Sequence, residues 1–203
     1  MGQLTDRLER ARELAAGRRV LDIGGKKMPN CDPGSAFARV YAGIQRSARE
    51  YRIVDCQDAP EVDYRLDLNR SESLPALRGA IDEYRPEVIL CMDTLEHINC
   101  HFEVMNEMAG AVTRHGTTVF ITVPNNANWV FNALGWNSDH SIAFLPGVAE
   151  RFVKRSDLGR HEVTVHRCMQ TYLWYWRLVY VLSFCQPFNW GFTIRPRSGP
   201  AWP

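Results

Sequence analysis

Short runs of apolar and β-branched residues recur through the first part of the chain, and most of them carry an aspartate at or near their end. They cover residues 20–23, 51–55, 63–67, 87–93 and 117–123. The centre of the run at 87–93 is continuously apolar, which is typical of a parallel strand that is covered on both faces. We therefore predict five strands, of which 63–67 is the shortest and weakest.

Helix-forming segments separate these strands. Leucine and alanine recur at helical spacing through residues 4–15, and Gly17 follows as a stop signal. Further helices are predicted at 74–84 and 102–112, with a short one at 35–42. Strand and helix thus alternate about five times, which predicts an α/β fold with a doubly wound, mostly parallel sheet and helices on both faces.

The sequence changes character after Pro124. Residues 125–147 are rich in Asn, Trp and Phe without a regular period, and long irregular segments of this kind are often lids or binding loops. A short strand within 162–168, a helix at 169–184 and a last strand at 190–195 complete the prediction. We expect a single domain, 1–203, made of a cofactor-binding core at 18–124, an acceptor lid at 125–168, and a C-terminal helix and strand at 169–203.

Bulk composition restricts the classes of partner. The chain has 24 Lys and Arg against 23 Asp and Glu, so we expect no nucleic-acid partner, since such a protein usually carries a basic excess. Six scattered cysteines without a Cys-x-x-Cys pair, and no apolar leader segment, favour a cytoplasmic location. The apolar run at 172–184 is shorter than the roughly 20 residues of a membrane span. It predicts a buried helix, or a homodimer contact through Trp174, Tyr175, Trp176 and Tyr180.

The residues at the predicted strand ends resemble those of class I S-adenosylmethionine-dependent methyltransferases, over about residues 18–123. The resemblance implies a Rossmann-like fold, S-adenosylmethionine as cofactor, and methyl transfer to a small-molecule, sugar or natural-product acceptor. It rests, in this order, on Val20-Leu21-Asp22-Ile23-Gly24, Asp55, Asp67-Leu68, Met92-Asp93-Thr94-Leu95-Glu96-His97 and Thr122-Val123-Pro124-Asn125.

The resemblance also implies a role for each of these positions. Asp55 would accept hydrogen bonds from both ribose hydroxyls, because a carboxylate has two acceptor oxygens; the alternative is a solvated turn aspartate. Asp67 would face the adenine amino group, or simply cap a turn before Asn69. Asp22 would lie under the amino acid end of the cofactor. The implied cofactor-binding residues are Asp22, Gly24, Gly25, Lys26, Asp55, Cys56, Asp67, Leu68, Met92 and Asp93.

Lys26 departs from the family pattern. The family usually has Asp/Glu-x-Gly-x-Gly, and here Lys26 takes the second glycine position, where it either pairs with the cofactor carboxylate or points to solvent. This departure favours the alternative function, a degenerate methyltransferase fold that binds a nucleoside or a partner without catalysis. A nicotinamide oxidoreductase ranks lower, because this loop lacks Gly-x-Gly-x-x-Gly.

Two histidines are candidate catalytic bases. Histidine is a common general base in enzymes, so His97 and His140 are suited to take a proton from an acceptor; His97 has the alternative role of orienting its loop. A metal-dependent hydrolase using His97, Cys100 and His101 ranks last, since a zinc site usually needs a fourth ligand, and we predict no metal. The lid residues Asn128, Trp129, Trp136, Asn137 and Asp139 either recognise a polar acceptor or pack the loop on the core.

Overall fold

The computed structural model describes residues 3–25, 36–128, 142–145, 147–169 and 187–197. Lys26, His140, the predicted helix beyond Met169 with its aromatic dimer contact, and the lid residues Trp129, Trp136, Asn137 and Asp139 lie outside the described residues. Within the described residues, no helix is both long enough and apolar enough to cross a membrane.

The described residues form one eight-stranded sheet in the order β1-β7-β8-β6-β5-β2-β3-β4. Only β8 runs antiparallel to its neighbours, and the other paired strands are parallel. The predicted mostly parallel sheet is therefore confirmed. The strands are β1 Gln3–Asp6, β2 Arg19–Ile23, β3 Glu50–Asp55, β4 Tyr64–Arg65, β5 Val88–Met92, β6 Thr118–Pro124, β7 Glu162–Met169 and β8 Asn189–Arg195.

Helices cover both faces of the sheet, as predicted. Alternate residues of a strand face opposite layers, so β2 contributes Val20 to the core on the α1 and α2 face and Leu21 to the core on the α3 and α4 face. The helices are α1 Arg7–Ala15, α2 Ala36–Ser47, α3 Leu74–Tyr84, α4 His101–His115 and α5 Val148–Arg155, with 3-10 turns at Ser71–Ser73, Leu95–His97 and Asp157–Arg160.

The start of the chain differs from the predicted helix over 4–15. Residues 3–6 form β1, which pairs in parallel with β7, and the helix begins only at Arg7. The side chain of Asp6 accepts hydrogen bonds from the backbone amides of Leu8 and Glu9 at 2.9 and 3.0 Å. An aspartate in this position is a favourable N-cap, so it fixes the start of the helix and leaves the preceding residues to the sheet edge.

Several other boundaries also differ from the prediction, among them the end of α4, which lies at His115 rather than at residue 112. Helix α2 continues to Ser47 rather than ending near residue 42, because Tyr41 and Ile44 lie one turn apart and are both buried against the sheet. Met169 ends β7 rather than beginning a helix. By contrast, α3 matches the prediction residue for residue.

Candidate functional site

The turn after β2 lies at the carboxyl edge of the sheet, where open α/β sheets form their ligand crevices. Gly24 has φ +73° and donates its amide hydrogen to Val54 O at 2.8 Å. A Cβ atom at Gly24 would lie 2.3 Å from Oγ1 and 2.4 Å from Cγ2 of Thr94. The backbone thus follows a path here that a side chain would block.

Thr94 joins this turn to the end of β5. Its hydroxyl group is within 3.2 Å of both Ile23 O and Met92 O, so it donates to one of these carbonyls at a time. Thr94 is buried, and its role was not predicted from the sequence. Met92 itself is buried in the core on the α1 and α2 face, so its side chain contributes packing at this strand end.

Asp22 lies beneath the turn. Its side chain is 0% exposed, and Oδ2 accepts hydrogen bonds from the hydroxyls of Tyr41 at 3.0 Å and Tyr51 at 2.6 Å. Burial, followed by the negative charge of Asp22, raises the pKa of both tyrosines, so both remain donors. A Cβ at Gly25 would lie 2.6 Å from the same Oδ2, so the enclosed carboxylate supports the turn from below.

Asp55 ends β3 beside this turn. It is 8% exposed, and Oδ1 accepts the backbone amide of Gln57 at 3.0 Å. The next residue, Cys56, is exposed, and the pKa of its thiol is raised by desolvation and by the charges of Asp55 and Asp67. Asp55 and Asp67 therefore both lie near enough to the Cys56 thiol to act on it at the carboxyl edge.

The loop after β4 is held by its own aspartate. Asp67 accepts the amide of Asn69 at 3.0 Å and pairs with Arg70 at 3.2 Å, so the turn that we gave as its alternative role is present. The side chain of Asn69 in turn accepts the amide of Asn99 at 2.9 Å. This contact joins the loop after β4 to the loop after β5. Leu68, which lies between Asp67 and Asn69 in the first of these loops, is buried.

Asp93 connects four parts of the fold. It has φ +51°, and its carboxylate pairs with Arg7 of α1. It also accepts hydrogen bonds from Thr122 Oγ1 and Asn189 Nδ2, each at 2.8 Å. Arg7 and Asn189 were missed in the sequence because they come from distant segments, at the start of α1 and the start of β8.

Comparison with known proteins identifies the architecture. No family model and no curated protein matches the chain. The solved small RNA methyltransferase HEN1 is similar over 97% of this chain and 25% of its own, with 13% identity and a TM-score of 0.54. The complex between the Haloferax volcanii Trm112 methyltransferase activator and a protein assigned as a methyltransferase matches 96% of this chain and 90% of the other, with 10% identity and a TM-score of 0.53.

The chain has the fold of class I S-adenosylmethionine-dependent methyltransferases. The match spans a quarter of the HEN1 chain, so it concerns one part of that protein. At these identities the likeness concerns the fold alone, and the predicted site residues stay predictions.

In this fold, His97 lies in the 3-10 turn after β5. Its side chain is 40% exposed, with Nε2 4.0 Å from Oε1 of the buried Glu96. His101 is turned elsewhere: its Nδ1 is 3.2 Å from Ile98 O, and its ring contacts Phe102 and Phe152. No cluster of three potential metal ligands occurs within the part of the chain that the structure describes.

Proposed function

We propose that this chain transfers a methyl group from S-adenosylmethionine to a small-molecule, sugar or natural-product acceptor. The proposal rests on one observation above all: the turn at Gly24 and Gly25 is closed by Thr94 and Asp22 so tightly that no Cβ fits. Such a turn at the carboxyl edge of a methyltransferase-type sheet brings bare backbone close to a ligand.

The residues around the turn suit the parts of that ligand. Asp55, almost buried at the end of β3, would accept the ribose hydroxyls, since charged hydrogen bonds to a diol are strong and directional. Asp67 and the amide of Leu68 would face the adenine from the loop after β4. Asp22 would contribute by supporting the turn at Gly24 and Gly25, because its carboxylate is enclosed by the hydroxyls of Tyr41 and Tyr51.

Catalysis would depend mainly on position. When bound, S-adenosylmethionine supplies a methyl group that is activated by a sulfonium. The protein would hold the acceptor in line with it, and positioning alone accounts for much of such a rate gain. His97, exposed beside the Glu96 carboxylate, would take the proton that an acceptor hydroxyl or amine gives up.

Calorimetric titration with S-adenosylmethionine tests the proposal. D55A should bind more weakly by about 1.5–3 kcal/mol, which is roughly ten- to 150-fold. D58A is the matched control, because Asp58 lies three residues away, is 82% exposed and pairs only with Arg65 among the described ion pairs. Thermal unfolding of both variants checks that they fold.

The outcomes are separable. Equal affinities of D55A and the wild type would remove Asp55 from the ribose site, and no binding by the wild type would refute the proposed function. Binding with no methyl transfer to any of a panel of hydroxyl and amine acceptors would favour the alternative, a nucleoside-binding module without catalysis.

A further inference from the structure

Four aromatic rings meet where α4 begins and α5 passes it. Ring centroids are 4.5 Å apart for Phe102 and Phe152, 5.0 Å for His101 and Phe152, and 5.2 Å for Phe144 and Phe152. Phe102 is nevertheless 38% exposed, although Phe144 beneath it is buried. The cluster therefore presents an aromatic face to solvent.

Two arginines border this face. Arg151 and Arg155 lie four residues apart on α5 and so project from one side of the helix. Neither forms an ion pair with a carboxylate among the described residues, whereas Lys154 on the same helix pairs with Glu150 at 2.6 Å. Among the described residues, these two positive charges thus have no carboxylate partner, and they lie beside exposed aromatic carbon.

The exposed side of the cluster forms a cavity that is open to solvent and has a volume of about 260 Å³; it is lined by Phe102, Val148, Arg151, Phe152 and Arg155. We name it the Phe102 notch. Its volume is slightly below the about 300–1,000 Å³ of sites that hold a whole drug-sized ligand. The notch is therefore sized for one part of a ligand, such as a ring system with its head group.

The notch lies on the side of the sheet edge where β5 and β6 end. Helix α4 follows the loop after β5, and Phe144 exchanges hydrogen bonds with Asn126, just after β6, at 3.1 and 2.7 Å. If the proposed function holds, the acceptor would enter from this side of the sheet edge, next to the loop that carries His97.

We propose that the Phe102 notch binds a flat, apolar group carrying a carboxylate or phosphate, as the anchoring part of the methyl acceptor. The inference rests on the proposed function for the identity of the ligand as acceptor. Guanidinium groups pair with both anions through two parallel hydrogen bonds, and aromatic faces stack on a flat apolar body. Two guanidinium groups beside aromatic faces disfavour neutral sugars, which carry no negative charge, and cationic amines, which the guanidinium groups repel.

Calorimetry with 2-naphthoate, 2-naphthyl phosphate and neutral 2-naphthamide tests this inference. We expect at least one anion to bind more tightly than the amide, and the tighter anion to identify the head group. R151Q and R155Q should each weaken anion binding about fivefold or more, the scale of a partly exposed charged hydrogen bond. K154Q, which removes the same charge from the same helix, should bind like the wild type.

Three results would overturn the inference: no anion binding, equal binding of the amide and the anions, or equal losses in K154Q and the two arginine variants. S-adenosylmethionine binding, titrated in the same variants, should not change. Cofactor titration therefore tests the proposed function separately. If the proposed function fails, S-adenosylmethionine will not bind even where naphthoate does.

Discussion

Replacing Gly24 with alanine tests the geometry of the turn after β2. An L-residue in the left-handed region costs roughly 1–2 kcal/mol. The new Cβ would also lie 2.3–2.4 Å from the Thr94 side chain, and forcing atoms into a packed site costs about 1–3 kcal/mol more. G24A should therefore lose about 2–5 kcal/mol of unfolding free energy.

Gly17 provides the matched control. Its φ is +68°, yet nothing lies within 4 Å of the position of its Cβ. G17A should therefore pay only the backbone cost of roughly 1–2 kcal/mol. The difference between the two variants isolates the contact with Thr94.

Urea unfolding followed by circular dichroism measures both losses. Adding T94A to G24A removes the two closest atoms and should restore part of the stability, as a non-zero coupling energy in a double-mutant cycle. Equal losses for G24A and G17A, with no coupling to Thr94, would refute the described packing. Cofactor affinity should fall in G24A and stay unchanged in G17A.

Three further substitutions test other contacts. R7M should lower the unfolding free energy by about 3 kcal/mol, which is the lower end for a broken buried ion pair because the Asp93 side chain is 28% exposed. R12M, which breaks the surface pair with Glu9, should lower it by only about 0.2–1 kcal/mol. Comparable urea midpoints for the two variants would contradict this difference. H97N should lower turnover about 10²–10⁴-fold, and an unchanged kcat would exclude His97 as a base. Burial lowers the pKa of His166, so below pH about 6.5 the unfolded chain binds a proton at this residue more readily than the folded protein does, and the unfolding free energy should fall as the pH drops. Urea titrations between pH 5 and 8 should show a weaker dependence of the unfolding free energy on pH in H166Q than in the wild type.

Local patterns were sufficient for most of the sheet core. The apolar runs at β2, β3, β5 and β6 are short, bounded by charged or turn residues, and lie within one or two residues of the observed strands. Helix α3 was predicted to the residue because Pro86 disfavours a helical conformation at Arg85. In the structure, Arg85 is in the left-handed region and ends the helix. These features depend on neighbours in the chain, so a single sequence contains them.

Other features depend on distant partners. Residues 3–6 belong to a strand because they pair with β7, whereas the apolar spacing of residues 4–15 alone fitted a helix. The support of Asp22 by Tyr41 and Tyr51 had one sequence signal: Asp22 alternates with Leu21 and Ile23, so it had to face the opposite layer. The identity of its two donors could not be read from that alternation.

The amino-acid sequence by itself determined where most of the strands and helices form and which carboxylates stand at the strand ends, because propensity, periodicity and turn residues act over a few positions. Only the tertiary structure decided what those carboxylates contact. Asp93 is held by Arg7 and Asn189, which are 86 and 96 residues away along the chain, and Gly24 is confined by Thr94 from the end of the neighbouring strand β5. Such contacts depend on how the layers pack, and packing brings together residues that no local pattern relates.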